Sequence, residues 1–290
     1  MKLSPIVLLF FVMLGCGSGT QTTADKHVAT PAEKAAIATV KKAIAAQLAL
    51  GDPVVNSVGM VLVPIPAGEF MMGSPDSAKA PGSGEKPQHL VKITKPFYLS
   101  VNEVTQRQYE KVMGVRPWQG KGYMKEGPDY AATYVSWNDA VEFCRKLSEQ
   151  EGVKYRLPTE AQWEYTCRAG TTTAYSYGDD ESKLGEHAWV PTNAWEIGEK
   201  YAHLVGQKRP NPWGLYDMHG NVWEWCQDWH GLYGSEKAVS DPGGPASGSR
   251  RVLRGGSFNN VTDNCRSAFR YGLPDDHYYL IGFRVSRTYN

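Results

Sequence analysis

The sequence predicts an α+β domain that is rich in loops and carries small sheets. Short β-rich runs such as residues 58–65 alternate with amphipathic segments such as residues 138–149, which begin at a polar cap residue. Thirty glycines and eighteen prolines interrupt these elements often, because both residue types end regular structure. Nine tryptophans and sixteen tyrosines within a 41% hydrophobic chain are enough for a sizeable core.

The individual elements follow from local patterns. Strands are expected at residues 58–65, 91–99, 251–254 and 282–286, with a long polar loop at residues 68–87. Helices are expected at residues 105–113, 138–149 and 159–169, since polar N-caps begin each of them and Thr159 with Gln162 forms a capping box. Between residues 170 and 212 no periodicity holds for long, so irregular structure is expected there.

The N-terminus predicts a lipid anchor. Lys2 and the apolar run 6–14 form a signal peptide, and Met13-Leu14-Gly15-Cys16 is typical of a bacterial lipobox. Residues 1–15 are then removed, and Cys16 becomes the acylated first residue of the mature protein, where several acyl chains give stable membrane attachment. Residues 17–19 do not look like an inner-membrane retention signal, which favours the outer membrane and the cell surface. The alternative is an ordinary signal peptide.

Residues 16–53 are interpreted as a linker and a tether helix, and residues 54–290 as the domain. Within residues 31–50, Ile37, Val40, Ile44 and Leu48 recur at helical spacing. The helix either acts as a spacer that lifts the domain off the membrane or pairs with a partner, or it simply docks on the domain, and the sequence leaves both interpretations open.

Composition and motifs exclude several classes of function. A net charge of +1 and a pI near 7.6 give no basic surface for nucleic acid. The chain has no HExxH, no Gly-x-Ser-x-Gly and no P-loop, and its seven histidines show no paired-ligand spacing. No catalytic residue is assigned.

Several motifs resemble the formylglycine-generating enzyme (sulfatase-modifying factor) family. They include YRLPTEAQWEY at 155–165, NPWGLYDMHGNVWEW at 211–225, RGGSFNN at 254–260 and IGFRV at 281–285. The resemblance runs from about residue 60 to 285. It implies a C-type-lectin-like fold of the sulfatase-modifying factor type.

The same resemblance bears on catalysis. In the oxidase members two cysteines, five positions apart after Gly-Gly-Ser, bind copper. Here the first position is Asn260 and the second is Cys265. Asparagine has no thiol and is a poor ligand for a soft metal, so no copper is expected. An oxidase remains an alternative if Cys265 binds copper with another thiol, such as Cys226.

The resemblance also implies structural calcium. Asp217 and Glu224 match positions that hold Ca²⁺ in the oxidases, together with the backbone carbonyls of Gly220 and Val222. Carboxylate and carbonyl oxygens are the ligands that Ca²⁺ prefers. The alternative is that Glu224 pairs locally within the tryptophan-rich core.

The disulfide pattern of the family is broken here. The positions that match the partners of Cys144 and Cys167 fall on Arg270 and near Tyr289. Pairing of Cys144 with Cys167, pairing of Cys226 with Cys265, and four free thiols all stay open.

The C-terminal region, residues 255–285, resembles a branch of the family formed by the variable proteins of diversity-generating retroelements. In that branch adenine-directed mutagenesis of Asn codons changes a binding surface. Lys, Glu, Gln, Met and Trp cannot arise from AAY codons in this way, and none occurs after Lys237. The absence of these five residue types already begins at Ala238, upstream of the predicted binding surface. Mutagenesis is therefore not its only cause. The positions that fit are Asn259, Asn260, Val261, Phe269, Tyr271, Gly272, Leu273, Asp276, His277, Tyr278, Tyr279 and Leu280.

These observations favour a surface-displayed lipoprotein that binds a protein or glycan ligand through this patch, without catalysis. Tyrosines give rigid contact area, and small polar residues add adaptable contacts. Tyr271, His277, Tyr278 and Tyr279 are expected to dominate binding. The two alternatives are a formylglycine-generating or related thiol oxidase, and a static periplasmic lipoprotein with a role in assembly.

Overall fold

A computed structural model describes residues 31–78 and 84–289 of the chain. Cys16 and the predicted signal peptide lie outside these residues. The helices are α1 (Pro31–Leu48), α2 (Gln106–Met113), α3 (Trp137–Glu151), α4 (Glu160–Arg168) and the short α5 (Leu184–His187). The strands are β1 (Val54–Val55), β2 (Val61–Ile65), β3 (Gly68–Met72), β4 (His89–Ile93), β5 (Phe97–Ser100), β6 (Tyr155–Arg156), β7 (Trp223–Trp229), β8 (Ala238–Ser240), β9 (Arg251–Arg254), β10 (Tyr271–Leu273), β11 (Ile281–Gly282) and β12 (Ser286–Thr288).

The strands form three small sheets, which confirms the predicted loop-rich α+β class. One sheet has the order β1-β2-β5-β12-β6, a second the order β10-β9-β7-β11, and a third the order β3-β4-β8. Helix α4 contacts β7 and β9 of the second sheet as well as β3 and β4 of the third. It therefore lies between the two sheets and fixes their positions. Its residues are buried on every side.

The predicted N-caps Thr105 and Thr159 are confirmed, and of the two candidates for α3, Asn138 and Ser136, the cap is Ser136. Thr105, Ser136 and Thr159 each accept a hydrogen bond from the backbone N–H three residues on, and each of those residues reaches back to its cap. Such a capping box satisfies two backbone donors that the first turn leaves free. The starts could be predicted because capping depends on neighbours in sequence alone.

Several strand predictions were wrong. Residues 68–87 are not one loop, since β3 lies inside them and pairs with β4 in antiparallel register. The predicted strand 91–99 is two strands, β4 and β5, that end and begin on either side of Pro96, whose nitrogen cannot donate to a ladder. The predicted strand 282–286 is likewise divided into β11 and β12. Strand β7 was missed because both of its faces are buried, so polarity does not alternate along it.

Helix α1 docks on the domain through its last turns. Ile44 packs against the core cluster around β3, β4 and α4, and Gln47 Nε2 donates to the carbonyl of Trp213 at 3.1 Å. Leu48, in contrast, is 71% exposed. Of the two interpretations left open for this helix, docking is the one the structure shows. None of the described helices is long and apolar enough to cross a membrane.

Candidate ligand-binding patch and calcium position

Trp223 lies beneath one half of the predicted patch. Its indole Nε1 donates to Asn260 Oδ1 at 2.8 Å. Its ring centroid is 6.0 Å from that of Phe269 and 5.9 Å from that of Tyr271. Trp223 itself is buried. Since β7 is a central strand of the second sheet, patch residues from two separate segments are brought together on one rigid support.

The other half of the patch is organised around Tyr279. Asn259 Nδ2 donates to the Tyr279 hydroxyl at 3.2 Å, and the Tyr279 ring lies 5.1 Å from that of Tyr123. Tyr123 in turn stacks on Trp195 at 5.5 Å. Tyr123 and Trp195 were not predicted, because they are far from the patch in sequence and belong to segments without periodicity.

Tyr123 is exposed and conformationally strained. Its side chain is 53% exposed, and its φ of 51° is in the left-handed region, which costs a non-glycine residue about 1 kcal/mol or more. Tyr134 has a φ of 57° and donates its backbone N–H to the carbonyl of Tyr278 at 3.0 Å. Tyr123 and Tyr134, which lie outside the predicted positions, thus border the patch at Tyr279 and Tyr278.

Exposure differs among the predicted positions. Val261 is 66% exposed and Tyr271 46%, and Asp276 and His277 are also exposed. The side chain of His277 pairs with Asp139, with 2.8 Å between Nε2 and Oδ2. The half-buried positions are Asn259, Asn260, Phe269, Leu273, Tyr278, Tyr279 and Leu280.

Gly272 differs from the other predicted positions. It is buried in β10, where a Cβ atom would lie 2.6 Å from the His230 ring. A side chain at residue 272 therefore requires His230 to move. The structure places this residue under the patch and not on it.

Cys265 is enclosed among apolar side chains. It is fully buried in a cluster with Tyr175 and Leu184, and burial raises the pKa of its thiol to about 12. Cys226 belongs to a different core cluster. The four cysteines that the structure describes are free thiols, so neither of the two pairings left open is formed. Ser257 donates its hydroxyl to Asn260.

The predicted calcium position is rich in buried negative charge. Asp217 has a φ of 61°, its Oδ2 accepts the N–H of Gly206 at 2.7 Å, and its Oδ1 is buried without a hydrogen-bond partner among the described residues. Burial raises the pKa of Asp217 to about 6, and the nearby charge of Glu224 adds to this shift. A buried carboxylate oxygen without a hydrogen-bond donor is energetically costly. Such an oxygen can instead coordinate a cation such as Ca²⁺.

Glu224 is held by other side chains. Arg284 donates to both of its oxygens, from Nε at 2.6 Å and from Nη2 at 2.7 Å, and Trp163 Nε1 donates at 2.7 Å. A carboxylate has about four lone-pair positions. The three hydrogen bonds to Glu224 therefore leave one lone-pair position for a metal ion. The predicted local pairing of Glu224 is therefore present, and it is compatible with a calcium ion.

Glu103 is a third carboxylate at this position, and no pattern in the sequence pointed to it. It accepts from Asn221 Nδ2 at 2.6 Å and from the backbone N–H of Val222 at 3.2 Å. Burial, together with the charges of Asp217 and Glu224, raises its pKa well above the usual range. Three carboxylates thus face the single guanidinium of Arg284.

The residues fit calcium in charge and in donor type. In the described part of the chain no three His, Cys, Asp or Glu side chains converge on one point as a metal site. A calcium ion here would thus need backbone carbonyls, such as those of Gly220 and Val222, beside the carboxylates.

Comparisons with known proteins agree with this architecture. The model of the sulfatase-modifying factor enzyme 1-like domain matches residues 47–289. The formylglycine-generating enzyme of Bos taurus is 31% identical over 284 residues, which cover 78% of this chain and 74% of that protein.

Two solved structures have the same fold. Treponema denticola variable protein 1 superposes with a TM-score of 0.72 at 28% identity, over 82% of this chain and 99% of its own. PvdO from Pseudomonas aeruginosa superposes with a TM-score of 0.73 at 32% identity, over 82% of this chain and 98% of its own. The chain therefore belongs to the family of the sulfatase-modifying factor enzyme 1-like domain.

Proposed function

We propose that this protein is a lipid-anchored, surface-displayed binding protein whose C-terminal patch takes a protein or glycan ligand and carries out no catalysis. The observation that carries the proposal is that predicted positions from three separate segments meet at two aromatic side chains. Asn260, Phe269 and Tyr271 contact Trp223, and Asn259 contacts Tyr279. The likeness to Treponema denticola variable protein 1 supports the same assignment.

Two features support a function without catalysis. Asn260 stands where the oxidases carry their first cysteine, and its side-chain oxygen is already bonded to Trp223 and Ser257. Cys265 is buried, and its raised pKa keeps it as a thiol at neutral pH. Thiolate, not thiol, is the nucleophile and the copper ligand.

The anchor and the cofactor are part of the proposal. Cys16 would carry the acyl chains that hold the protein at the outer membrane. A structural Ca²⁺ would be held by Asp217, by Glu224 and by the carbonyls of Gly220 and Val222. It would offset the excess negative charge beside Arg284.

Deep sequencing of codons 250–290 in one growing population of the source organism tests the variable patch. Substitutions should concentrate at the predicted positions other than Gly272, while Gly255, Cys265, Pro274 and Gly282 stay constant. A uniform sequence, with no template repeat near the gene, would contradict the proposal and favour a static lipoprotein with a role in assembly.

Copper binding separates the oxidase from the binding protein. The purified protein should bind no Cu(I) under conditions in which a two-thiolate site is saturated. Stoichiometric binding that is lost in Cys265→Ser would instead support the oxidase.

A further inference from the structure

A groove lies between helix α1, the third sheet and the end of helix α4. Its volume is about 710 Å³, within the range of roughly 300–1,000 Å³ typical of small-molecule sites. We call it the α1 groove. Its helix side includes Lys42, Ala43 and Ala46.

The walls of the groove are mainly apolar and aromatic. Phe70 and Tyr165 lie 5.3 Å apart between ring centroids, and Tyr165 and Trp213 lie 5.0 Å apart. Met71, on the neighbouring β3 position, is 40% exposed. Tyr165 and Trp213 are themselves buried, and Phe70 is half-buried. A groove with a mainly apolar and aromatic lining is typical of a small-molecule site.

The charged residues of the groove are mostly cationic. They are Lys42, Lys92 and Arg168, against the single carboxylate of Glu69. Arg168 is neutralised by the buried Glu164 at 2.8 Å, and Lys92 lies 3.6 Å from Glu69. Lys42 is exposed and forms no ion pair within the described part of the chain. A positive charge thus stands at the opening of an apolar groove.

We propose that the α1 groove binds one long-chain fatty acid, with the carboxylate at Lys42 and the chain along Phe70, Tyr165 and Trp213. The apolar lining matches an acyl chain, and the ammonium group of Lys42, unpaired among the described residues, matches its carboxylate. The volume suits one chain and not the two of a phospholipid. Residues 17–30 of the protein are small and polar in sequence, so they do not match this lining.

Oleate, titrated below its critical micelle concentration into the purified full-length protein, tests the proposal by calorimetry. The wild type should bind about one equivalent. Ala46→Trp fills the groove from the helix side and should abolish binding, whereas Ala45→Trp, at an exposed position one residue away that does not line the groove, should leave it unchanged.

A second matched pair tests the head group. Lys42→Glu should weaken oleate binding about tenfold or more, because an attractive contact becomes repulsive. Lys41→Glu, exposed but outside the groove, should bind like the wild type. Absence of saturable binding, equal binding by Ala46→Trp, or equal affinity for oleyl alcohol and oleate would overturn the proposal. These readouts do not involve the patch, so they are independent of its function.

Discussion

The predicted patch and the layer below it are held together by different forces. Val261 and Tyr271 are exposed, and the Tyr271 ring lies 5.9 Å from the ring of Trp223. Below them, Arg254, Arg270 and Arg284 are buried and paired with carboxylates. We expect the exposed layer to tolerate many side chains and the buried ion pairs to fix the backbone.

The positions of these arginines explain how the two layers coexist. Arg254 precedes the first predicted patch segment, and Arg284 follows the last. Arg270 lies directly between the predicted patch positions Phe269 and Tyr271. Their carboxylate partners belong to α4 and β7, outside the predicted patch. The pairs are Glu164 with Arg254, Glu160 with Arg270, and Glu224 with Arg284.

Each end of the predicted patch region is thus fixed by a buried ion pair whose partner lies elsewhere in the chain. If the patch varies as proposed, changes in its exposed side chains should leave these pairs in place. Substitutions in the two layers should therefore differ in their cost to stability.

Removing one buried arginine should have the largest effect. Arg284→Met leaves Glu224, Asp217 and Glu103 without their shared cation, and an uncompensated buried charge costs about 3–5 kcal/mol. Urea unfolding should show this loss of stability. Arg145→Met, which breaks only exposed pairs with Glu142 and Glu149, should change stability by about 0.5 kcal/mol or less. Equal effects of the two substitutions would remove the distinction between the layers.

Calcium should have the next largest effect, and it should depend on pH. The pKa of Asp217 is raised to about 6 in the folded protein, so the folded state holds this proton more tightly than the unfolded state does. The metal-free protein should therefore lose stability as pH rises from about 4 through 6. The contribution of Asp217 to this loss is about 3 kcal/mol. Above pH 6 a bound Ca²⁺ would compensate the charge. Thermal unfolding with and without calcium should therefore differ more at about pH 7.5 than at about pH 5.

Asp217→Asn is the matched control for calcium. The amide removes the charge but keeps the shape, so the metal-free variant should be more stable than the metal-free wild type at neutral pH, and calcium should stabilise it less. A wild type whose unfolding does not respond to calcium at either pH would exclude the proposed site.

An intermediate effect is expected at Gly272. Gly272→Ala brings a Cβ atom to 2.6 Å from the His230 ring, and overpacking of this kind costs about 1–3 kcal/mol. The cost should be visible in urea unfolding and should fall when Gly272→Ala is combined with His230→Gly, which removes both the ring and the His230 Cβ atom that would lie 2.8 Å away. If Gly272→Ala is neutral by itself, residue 272 belongs with the variable positions after all.

Sequence patterns predicted the parts of this architecture that depend on near neighbours. The N-cap Thr105 and the capping box of Thr159 with Gln162 were predicted, because capping is decided within about four residues of sequence. For α3 the sequence offered both Asn138 and Ser136, and Ser136 is the cap. Strand β7 could not, because burial on both faces removes the alternation that marks a strand. Glu103 and Tyr123 were also missed, since they reach the calcium position and the patch only through tertiary contacts.

Substitutions at the exposed patch residue Val261 should cost least. Val261→Asn and Val261→Tyr both place residue types that an AAY codon can produce at a side chain that is 66% exposed, so unfolding free energies should change by about 0.5 kcal/mol or less. A loss well above that would mean that Val261 supports the fold, and the patch could not then vary freely. Near-neutral stability at Val261, beside a large loss at Arg284, is the result that a fixed scaffold with a variable surface requires.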